Sequence, residues 1–336
     1  MSLKRLGKRI IKGTLLKSGA LNLAARVAPL SAVILMYHSI VEDPEVTRHS
    51  IGISQSRASF EAHMQILTRQ FNPVTIEQIA QFAREGRPLP ARSVAVTFDD
   101  GFADNYEVAL PILSRYGVPA VVYIMVNAVA TGTLPWYCRL RFALETTRKT
   151  EWRHPEEGGI YKIATTGERQ AVLNMVWEMC ARRTGAAQDE LVRQVETSLE
   201  VEPLNARSGL MLNWDKVRAL RKAGHVIGGH TLSHPNLAHV SAEEARAEIA
   251  GCKKELEEHI GESVDHFSYP HPALNPQWNS GTLEVTREAG FQSAVLTSCG
   301  PVRAGDDPLL LKRIYAANEP DQWTWNLECT FLGRAV

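Results

Sequence analysis

Two adjacent carboxylates stand directly after an apolar run in this sequence. Asp99 and Asp100 follow the mostly apolar run 94–98 and precede Gly101. Neighbouring carboxylates repel each other, and the pair becomes tolerable if one binds a cation while the other stays free as a base. The pair therefore predicts a cation site with a general base beside it. The alternative is a structural role, because aspartate commonly caps the first turn of a helix.

Two histidines at i, i+4 spacing supply a second candidate. His230 and His234 lie in the run 229–235, again just after an apolar run. On a turn or short helix this spacing places both imidazoles on one face, which suits one divalent metal ion. Chance pairs are frequent in a chain with 11 histidines, and a structural role is the alternative for either histidine alone. Together with one aspartate they complete a two-histidine, one-carboxylate set that leaves coordination positions open.

These two runs resemble motifs of the polysaccharide deacetylase superfamily, carbohydrate esterase family four, whose members share the NodB-homology domain. Residues 97–101 (T-F-D-D-G) and 230–235 (H-T-L-S-H-P) match two of its motifs, and the similarity spans roughly residues 33 to 316. The resemblance implies an α/β fold, a distorted (β/α)7 barrel, with one divalent metal ion. Zn²⁺ is the expected ion, with Co²⁺, Ni²⁺ or Mn²⁺ as alternatives. The implied roles are Asp99 as general base and three metal ligands, Asp100, His230 and His234.

The resemblance also implies a reaction, the hydrolysis of a non-peptide C–N bond that frees an acetyl group from an amino-sugar glycan. A metal ion lowers the pKa of its water towards about 7 and polarises a carbonyl group, while Asp99 takes the proton of the attacking water. The family's third motif is similar to residues 267–271, which implies an oxyanion donor at the His271 amide. Tyr269 in this segment and Trp136 complete the predicted oxyanion and substrate contacts. Core packing is the alternative for Trp136 and its neighbour Tyr137.

The third motif departs from the family pattern, which has Arg at the position of Ser268 and Tyr at that of His271. Because that arginine orients the base, we expect Asp99 to be held differently here. The family's late Leu-x-x-His motif supplies the general acid, and it has no match because no histidine follows His271. We predict His38 for this role, since its Tyr-His run resembles the early motif of relatives that act on poly-N-acetylglucosamine, and imidazole titrates near neutral pH. The alternatives are a structural His38 and His271 as the acid.

These residues need elements that bring them together. Short apolar runs alternate with helical patterns from residue 33 onward, which is typical of βα units around a parallel sheet. Seven strands are predicted, at residues 33–37, 94–98, 118–126, 225–229, 265–269, 293–297 and 309–316. The carboxyl ends of the strands in such a barrel face the active site. We therefore expect His38, the aspartate pair and the histidine pair to converge.

The alternation fails between about residues 131 and 212. Residues 136–147 and 170–183 have helical patterns, and no strand is predicted between them. We interpret 131–212 as a helical insertion that packs on the barrel. The predicted division is an N-terminal segment 1–30, a barrel 31–320 that contains the insertion, and a C-terminal tail 321–336.

Composition narrows the class of protein. The chain has 37 basic and 37 acidic residues and is 44% hydrophobic, as expected of a soluble globular protein that does not bind nucleic acid. Five scattered cysteines, with no C-x-x-C spacing, favour neither a disulfide framework nor a cysteine zinc site. A reducing compartment fits this cysteine usage.

Residues 1–30 are basic, with seven lysines and arginines and no acidic residue. Apolar residues recur there at helical spacing, namely Leu3, Leu6, Ile10, Ile11 and Leu15. The pattern predicts a basic amphipathic helix able to lie on an anionic membrane surface; the alternatives are a frayed tail and a helix docked on the barrel. The segment lacks the continuous apolar run and cleavage site of a signal peptide. We therefore expect a cytoplasmic protein, with peripheral contact at the inner membrane face as a hypothesis.

Two rival functions remain open at this point. Ser268 and the missing late histidine favour a catalytically impaired glycan-binding or scaffold protein of the same fold. Retention of Asp99 argues against it, because a binding protein has little need of an unligated carboxylate beside a metal ion. The basic N-terminus also raises the hypothesis of a deformylase acting on a lipid-linked sugar.

Overall fold

The computed structural model describes residues 18, 30–42, 53–203 and 209–334. Its strands are β1 (Ala32–Tyr37), β2 (Ser39–Val41), β3 (Ser54–Ser56), β4 (Asn72–Pro73), β5 (Ser93–Phe98), β6 (Ala120–Ile124), β7 (Glu151–Arg153), β8 (Ile160–Lys162), β9 (Val226–Gly229), β10 (His266–Ser268), β11 (Ser293–Val295) and β12 (Ile314–Tyr315). Its α-helices are α1 (Arg57–Gln70), α2 (Ile76–Glu85), α3 (Leu110–Tyr116), α4 (Val126–Thr131), α5 (Trp136–Thr146), α6 (Thr166–Ala181), α7 (Gly185–Ser198), α8 (Trp214–Lys222), α9 (Ala242–Ile260), α10 (Ser280–Glu288) and α11 (Pro320–Phe331). None of these helices is long and apolar enough to cross a bilayer. The amphipathic helix predicted within residues 1–30 lies outside the described residues, apart from Ser18 and Leu30.

A parallel sheet forms the centre of the molecule. In the described part of the chain, its strands follow one another in the order β12, β1, β5, β6, β9, β10, β11, and β4 pairs with β5 beside this path. The two ends of the path are joined through Leu311, whose N–H donates to Ala294 O at 2.9 Å and whose carbonyl accepts from Leu296 N at 2.8 Å. Helices surround the sheet, so the expected distorted (β/α)7 barrel is confirmed.

The longest strands are buried at every position. The sequences of β1 (AVILMY) and β5 (SVAVTF) show no alternation of apolar and polar residues. Continuous apolar runs are typical of parallel strands that are covered on both faces. Their register pairs Tyr37 with Phe98, so His38 and Asp99 leave the sheet side by side. The pairing of Ile124 with Gly229 brings the run that starts at His230 to the same end.

The predicted strand at 309–316 is wrong over most of its length. A short 3₁₀ turn, Pro308–Leu310, comes first, and only Ile314–Tyr315 forms β12. Proline suits the first turn of a helix because it lacks an N–H group, and Asp307 caps the turn by accepting from Leu309 N at 2.9 Å. The predicted run at 118–126 is likewise shorter in the structure, because residues from Val126 onward form α4.

The insertion contains more elements than were predicted. The helices expected at 136–147 and 170–183 correspond to α5 and α6, but the expectation of no strand between them is wrong. Strands β7 and β8 form an antiparallel hairpin there, and α7 is a further helix. In β7 only Trp152 is buried, and one apolar residue in three is too short a pattern to indicate a strand. Insertion residues share an apolar cluster with Phe102, Met125 and Leu274, so the insertion packs on the barrel loops.

Residues 321–336, predicted as a tail, instead contribute most of a docked helix. Helix α11 begins at Pro320, and its Trp323 is buried in the main apolar core. The Trp323 indole Nε1 donates to the Tyr37 hydroxyl at 2.9 Å, and its ring stacks on His63 with centroids 4.8 Å apart. Burial of a large aromatic side chain stabilises the docked helix.

Candidate metal and catalytic site

Three side chains from two separate loops meet in one buried cluster. Asp100 Oδ1 lies 3.4 Å from His230 Nε2 and 3.6 Å from His234 Nε2. The three ligand atoms all lie within 4.8 Å of one another. The predicted metal-ligand residues are therefore together, although 130 positions separate Asp100 from His230 along the chain.

The strand ends bring these loops together. Asp99 N donates to Tyr37 O at 3.0 Å, and His230 N donates to Ile124 O at 2.9 Å. Each bond continues the ladder of a parallel pair by one residue beyond the assigned strands. The predicted convergence at the carboxyl edge thus follows from the strand register.

The backbone of the cluster is unusual. Asp100, Thr231 and His234 have φ angles of 75°, 66° and 62°, in the left-handed region. Such conformations cost roughly 1–3 kcal/mol for a residue with a side chain and persist where the surroundings enforce them. Here His234 N donates to Thr231 Oγ1 at 2.9 Å, which closes the turn between the two histidines.

Glu248 of α9 clamps the same turn. Its Oε2 accepts from Leu232 N and Ser233 N, both at 2.8 Å, and its Oε1 accepts from the Ser233 hydroxyl. Burial raises the pKa of Glu248 despite these bonds, which favour the charged form. The carboxylate thereby fixes the backbone between His230 and His234.

The imidazoles are oriented from behind. Ser268 O is hydrogen bonded to His230 Nδ1 at 2.7 Å, which assigns a proton to Nδ1 and makes Nε2 the ring atom that faces Asp100. Burial, with a smaller effect of the nearby His230 charge, lowers the pKa of His234 to about 3. His234 is therefore neutral at pH 7, as a metal ligand must be.

The donor set fits a divalent cation. Both carboxylate oxygens of Asp100 are buried and make no hydrogen bond within the described part of the chain. Burial alone would raise the pKa of Asp100, but His230, His38 and His234 outweigh it and hold the pKa below its ordinary value. A buried, ionised carboxylate without hydrogen bonds is costly unless it is paired or coordinates a metal ion. Asp100, His230 and His234 are the residues that would hold the ion.

Asp99 is held by an arginine that was not predicted. Arg313 donates from Nη1 to Asp99 Oδ1 and from Nη2 to Asp99 Oδ2, both at 2.7 Å. Burial alone would raise the pKa of Asp99, but Arg313, with smaller effects of His230 and His38, outweighs it and lowers the pKa. Asp99 is therefore an ionised carboxylate beside the metal-ligand set, as a general base requires.

Arg313 also explains the departure at Ser268. The guanidinium is fully buried and donates from Nη2 to Ser268 Oγ at 3.0 Å, from Nη1 to Thr97 Oγ1 at 3.1 Å and from Nε to Leu296 O at 2.9 Å. The small side chain at 268 leaves room for an arginine that comes from the segment before β12. The signal in the sequence was a pair of basic residues, Lys312 and Arg313, inside an otherwise apolar predicted strand.

A cavity of about 250 Å³ opens above the cluster. The predicted residues that line it are His38, Asp99, Asp100, His230, His234, Tyr269 and His271. The insertion adds three residues to its wall, Tyr137, Arg141 and Trp177. The Arg141 guanidinium lies over the Trp177 ring at 5.4 Å, so the insertion contributes an aromatic and cationic wall.

Two lining residues have side chains fixed by other contacts. Tyr269 is fully buried, and its hydroxyl donates to Thr286 Oγ1 at 3.0 Å. The ring nitrogens of His271 are hydrogen bonded to Thr297 Oγ1 at 3.1 Å and to Asn275 Oδ1 at 3.0 Å. The His271 side chain therefore has defined partners at the cavity wall.

The prediction for Trp136 is corrected by its position. Trp136 is 2% exposed and is not among the cavity-lining residues. The indole Nε1 instead donates to His234 O at 3.1 Å, so Trp136 supports the metal-site loop from behind. Its neighbour Tyr137 lines the cavity, with its ring centroid 5.0 Å from that of His234. The start of α5 turns Trp136 into the apolar cluster of the insertion and Tyr137 towards the site.

Known proteins share this sequence pattern and fold. Residues 86–294 match the family model described as polysaccharide deacetylase. A poly-beta-1,6-N-acetyl-D-glucosamine N-deacetylase of Escherichia coli is 35% identical over 89 residues, which are 26% of this chain and 13% of that protein. A protein of the same name from Staphylococcus aureus is 24% identical over 190 residues, 54% of this chain and 60% of that protein. The chain thus spans less than two thirds of the length of either relative.

A solved structure agrees with the fold. The Streptococcus pyogenes deacetylase PplD, in complex with acetate, superposes with a TM-score of 0.59 at 19% identity. The match covers 89% of this chain and 99% of that chain. The family model covers more than half of the chain and includes the aspartate pair, the two histidines and Ser268. This chain therefore belongs to the polysaccharide deacetylase family.

Proposed function

We propose that this protein is a metal-dependent hydrolase that removes the N-acetyl group from an amino-sugar glycan. The observation that carries the proposal is the pairing of a three-residue donor set with a separate, ionised Asp99. Membership of the polysaccharide deacetylase family supports the same reaction. The names of the Escherichia coli and Staphylococcus aureus relatives favour poly-N-acetylglucosamine as the first substrate to test.

The residues divide the reaction between them. A divalent ion, when bound, supplies Lewis acidity towards the acyl carbonyl and acidifies the attacking water. Asp99 accepts the proton of that water, and Arg313 keeps its carboxylate ionised and fixed in orientation. The His271 amide donates to the oxyanion of the tetrahedral intermediate. His38, just beyond the end of the neighbouring strand β1, donates a proton to the leaving amine.

Arg313 weakens the rival proposal of an impaired binding protein. The binding-protein alternative depends partly on Ser268, which stands where the family has the arginine that orients the base. In this structure another arginine, Arg313, makes a bidentate contact with Asp99. A scaffold protein would gain little from an ionised carboxylate buried with its partner below the cavity, because such pairs are expensive to desolvate.

An acetate-release assay tests the proposed function. The purified chain is incubated with Zn²⁺ or Co²⁺ and a panel of β-1,6-linked and β-1,4-linked N-acetylglucosamine oligomers. We expect acetate release from at least one of them, lost in the Asp99→Asn variant. An N-formylated oligomer in the same panel tests the deformylase hypothesis. Full metal occupancy without acyl release from any oligomer would support the binding-protein alternative instead.

We also propose that residues 1–30 contact anionic lipid peripherally. Support comes from the seven basic residues and the helical spacing of the apolar ones in that segment. Flotation of the full chain and of a chain lacking residues 1–30 with phosphatidylglycerol vesicles tests this. Loss of flotation on deletion is expected, and equal behaviour of the two chains would contradict the proposal.

A further inference from the structure

One pair of adjacent side chains holds the segment that carries His38. Asn105 Nδ2 donates to His38 O at 2.7 Å. Asp104 Oδ1 accepts from Ile40 N at 3.0 Å, and Asp104 Oδ2 accepts from Ser39 Oγ at 2.5 Å. Asn105 Nδ2 also donates to Asp104 Oδ1 at 3.1 Å, which ties the two side chains together. Three consecutive residues beyond β1 are thus fixed by two neighbours.

The pair also belongs to the loop of the catalytic aspartates. Asp104 and Asn105 follow Asp99 by five and six positions. Asn105 begins a π-helical turn, Asn105–Ala109, and Asp104 directly precedes it. Short π-helical turns are rare and often occur at functional sites. Asp104 and Asn105 therefore connect two parts of the site. One is the loop that carries Asp99 and Asp100, and the other is the strand end that presents His38. Neither Asp104 nor Asn105 lines the cavity, so their effect on substrate must act through other residues.

The chemistry of Asp104 is unusual for a purely structural residue. Burial raises its pKa to about 7 even though its hydrogen bonds to Ser39, Ile40 and Asn105 favour the charged form. No basic side chain pairs with this carboxyl group among the ion pairs of the described residues. Glu196 and Asp99, by contrast, are buried carboxylates that each pair with an arginine. The hydrogen bonds of Asp104 fix the geometry of the segment 38–40.

We propose that Asp104 and Asn105 are positioning residues that hold the His38 imidazole against the Asp99–Asp100 loop. The proposal rests on the proton-donor role of His38 given under the proposed function. General acid catalysis requires the donor within hydrogen-bond reach of the leaving nitrogen. A displacement of about 1 Å can cost about 10²-fold in rate. Release of the 38–40 segment should therefore lower the turnover number while it leaves the metal ligands and the cavity wall in place.

A double-mutant cycle tests this proposal. The variants are Asp104→Ala, His38→Gln and the double variant, with kcat and KM for acetate release measured at saturating Zn²⁺. We expect Asp104→Ala to lower kcat about 10- to 100-fold with little change in KM. In the His38→Gln background the same substitution should change kcat less than about 2-fold, because residues that act as a unit are not additive. Asp104→Asn should recover most of the loss, since an amide can accept from Ile40 N–H and donate to the Ser39 hydroxyl.

Glu328→Gln is the matched control for lost stability. Glu328 is also a buried carboxyl group, but it pairs with Arg92 just before β5 begins, at the end of that strand opposite Asp99. It should lower the unfolding temperature and leave kcat unchanged at a temperature where the protein is folded. If Asp104→Ala does not fold, Ser39→Ala removes one of the three hydrogen bonds to Asp104 and should give a smaller loss of the same kind.

The outcomes separate this inference from the proposed function. Equal losses from Asp104→Ala in both backgrounds would overturn the positioning role while leaving His38 as the acid. A fully active His38→Gln would overturn both the acid role and this inference. If the wild-type chain releases no acetate, the ¹³C-labelled His38 resonance of the Zn²⁺-loaded protein is compared between variants. A shift of this resonance in Asp104→Ala but not in Glu328→Gln would support the positioning role of Asp104. An unchanged resonance in Asp104→Ala would refute it.

Discussion

Arg313 and Asp99 form a buried bidentate pair whose arginine comes from a part of the chain outside every recognised motif. Lysine carries the same charge but cannot reproduce two parallel hydrogen bonds to a carboxylate. We expect Arg313→Lys to weaken the restraint on the pKa of Asp99, which then rises towards its ordinary value or above. A base must be ionised to act, so the acidic limb of the kcat/KM profile should move to higher pH, and kcat should fall about 10-fold or more. A pH series of acetate release from pH 5 to 9 measures both effects.

Arg139→Lys is the control for the Arg313 variant. Arg139 is also buried and makes a two-pronged contact, with Glu196, but within the insertion. It should cost stability without moving the acidic limb. An acidic limb that is the same in Arg313→Lys and wild type would show that Arg313 does not set the ionisation of Asp99.

The separate roles of base and ligand give a second prediction. Asp99→Asn keeps the size of the side chain and leaves the donor set intact, so it should retain the metal ion and lose about 10²- to 10⁴-fold in kcat. His230→Ala removes a ligand and should lose the ion itself. Metal content by atomic emission, measured beside acetate release, distinguishes the two. Full activity of Asp99→Asn would assign the base elsewhere.

At the scale of residues, motif positions were the predictable part. Asp99, Asp100, His230 and His234 were found because they are close together in short runs with a recognisable spacing. Arg313 was missed because its partner is 214 positions away, and a Lys-Arg pair in an apolar run matches no motif. The prediction for Trp136 was wrong because the sequence indicates only that two aromatic residues, Trp136 and Tyr137, follow a strand. It does not indicate which of the two faces the cavity.

The turn between the two histidines depends on a helix that supplies no metal ligand. Glu248 of α9 accepts two backbone N–H groups and one hydroxyl group from Leu232 and Ser233. Partners that orient metal ligands typically contribute about 10- to 100-fold in metal affinity. We expect Glu248→Gln to weaken Zn²⁺ binding towards the lower end of this range, because a neutral amide oxygen accepts the two backbone N–H bonds more weakly than a carboxylate oxygen. Calorimetric titration of the metal-free protein measures the affinity.

Glu258→Gln on the same helix is the control. Glu258 is exposed, and among the described residues its ion pair is with Lys254 at 3.8 Å, so metal affinity should not change. Equal affinities of Glu248→Gln and wild type would mean that the turn holds its geometry without the clamp.

At the scale of elements, length decided what could be predicted. The fully buried runs of β1 and β5 are long enough to stand out, and their outcome matches the prediction closely. Strands β2, β3 and β4 have two or three residues each, and none of them carries an apolar pattern of its own. Their pairing depends on tertiary contacts, such as Ser39 with Ser54, that no local pattern reports.

At the scale of the whole molecule, barrel and insertion form one cavity. The barrel presents Asp99, the candidate donor set and His38, while the insertion adds Tyr137, Arg141 and Trp177 to the wall. The barrel was predictable because alternating strands and helices repeat along the chain. The contribution of the insertion to the cavity was less predictable from the sequence, because it depends on how α5 and α6 pack on the barrel loops.

Removal of the metal ion should also lower the stability of the whole fold. The ion-free protein keeps Asp100 ionised and buried beside His230 and His234. A ligand that binds only the folded state at 100 times its Kd stabilises it by about 2.7 kcal/mol, which corresponds to several degrees in Tm for a chain of this size. We therefore expect EDTA to lower the Tm of the wild-type protein, and added Zn²⁺ or Co²⁺ to restore both Tm and acetate release.

The size of this metal effect should depend on pH in a defined direction. Burial alone would lower the pKa of His230, but the charges of Asp99 and Asp100 outweigh it and raise the pKa in the ion-free protein. The metal ion must then displace a proton from His230, so its binding is favoured as the pH rises. The difference in Tm between Zn²⁺-loaded and EDTA-treated protein should shrink as the pH falls from 8 to 5.5, and it should vanish in His230→Ala at every pH. Differential scanning fluorimetry measures it, and identical melting curves with and without EDTA at pH 8 would contradict a metal site at Asp100, His230 and His234.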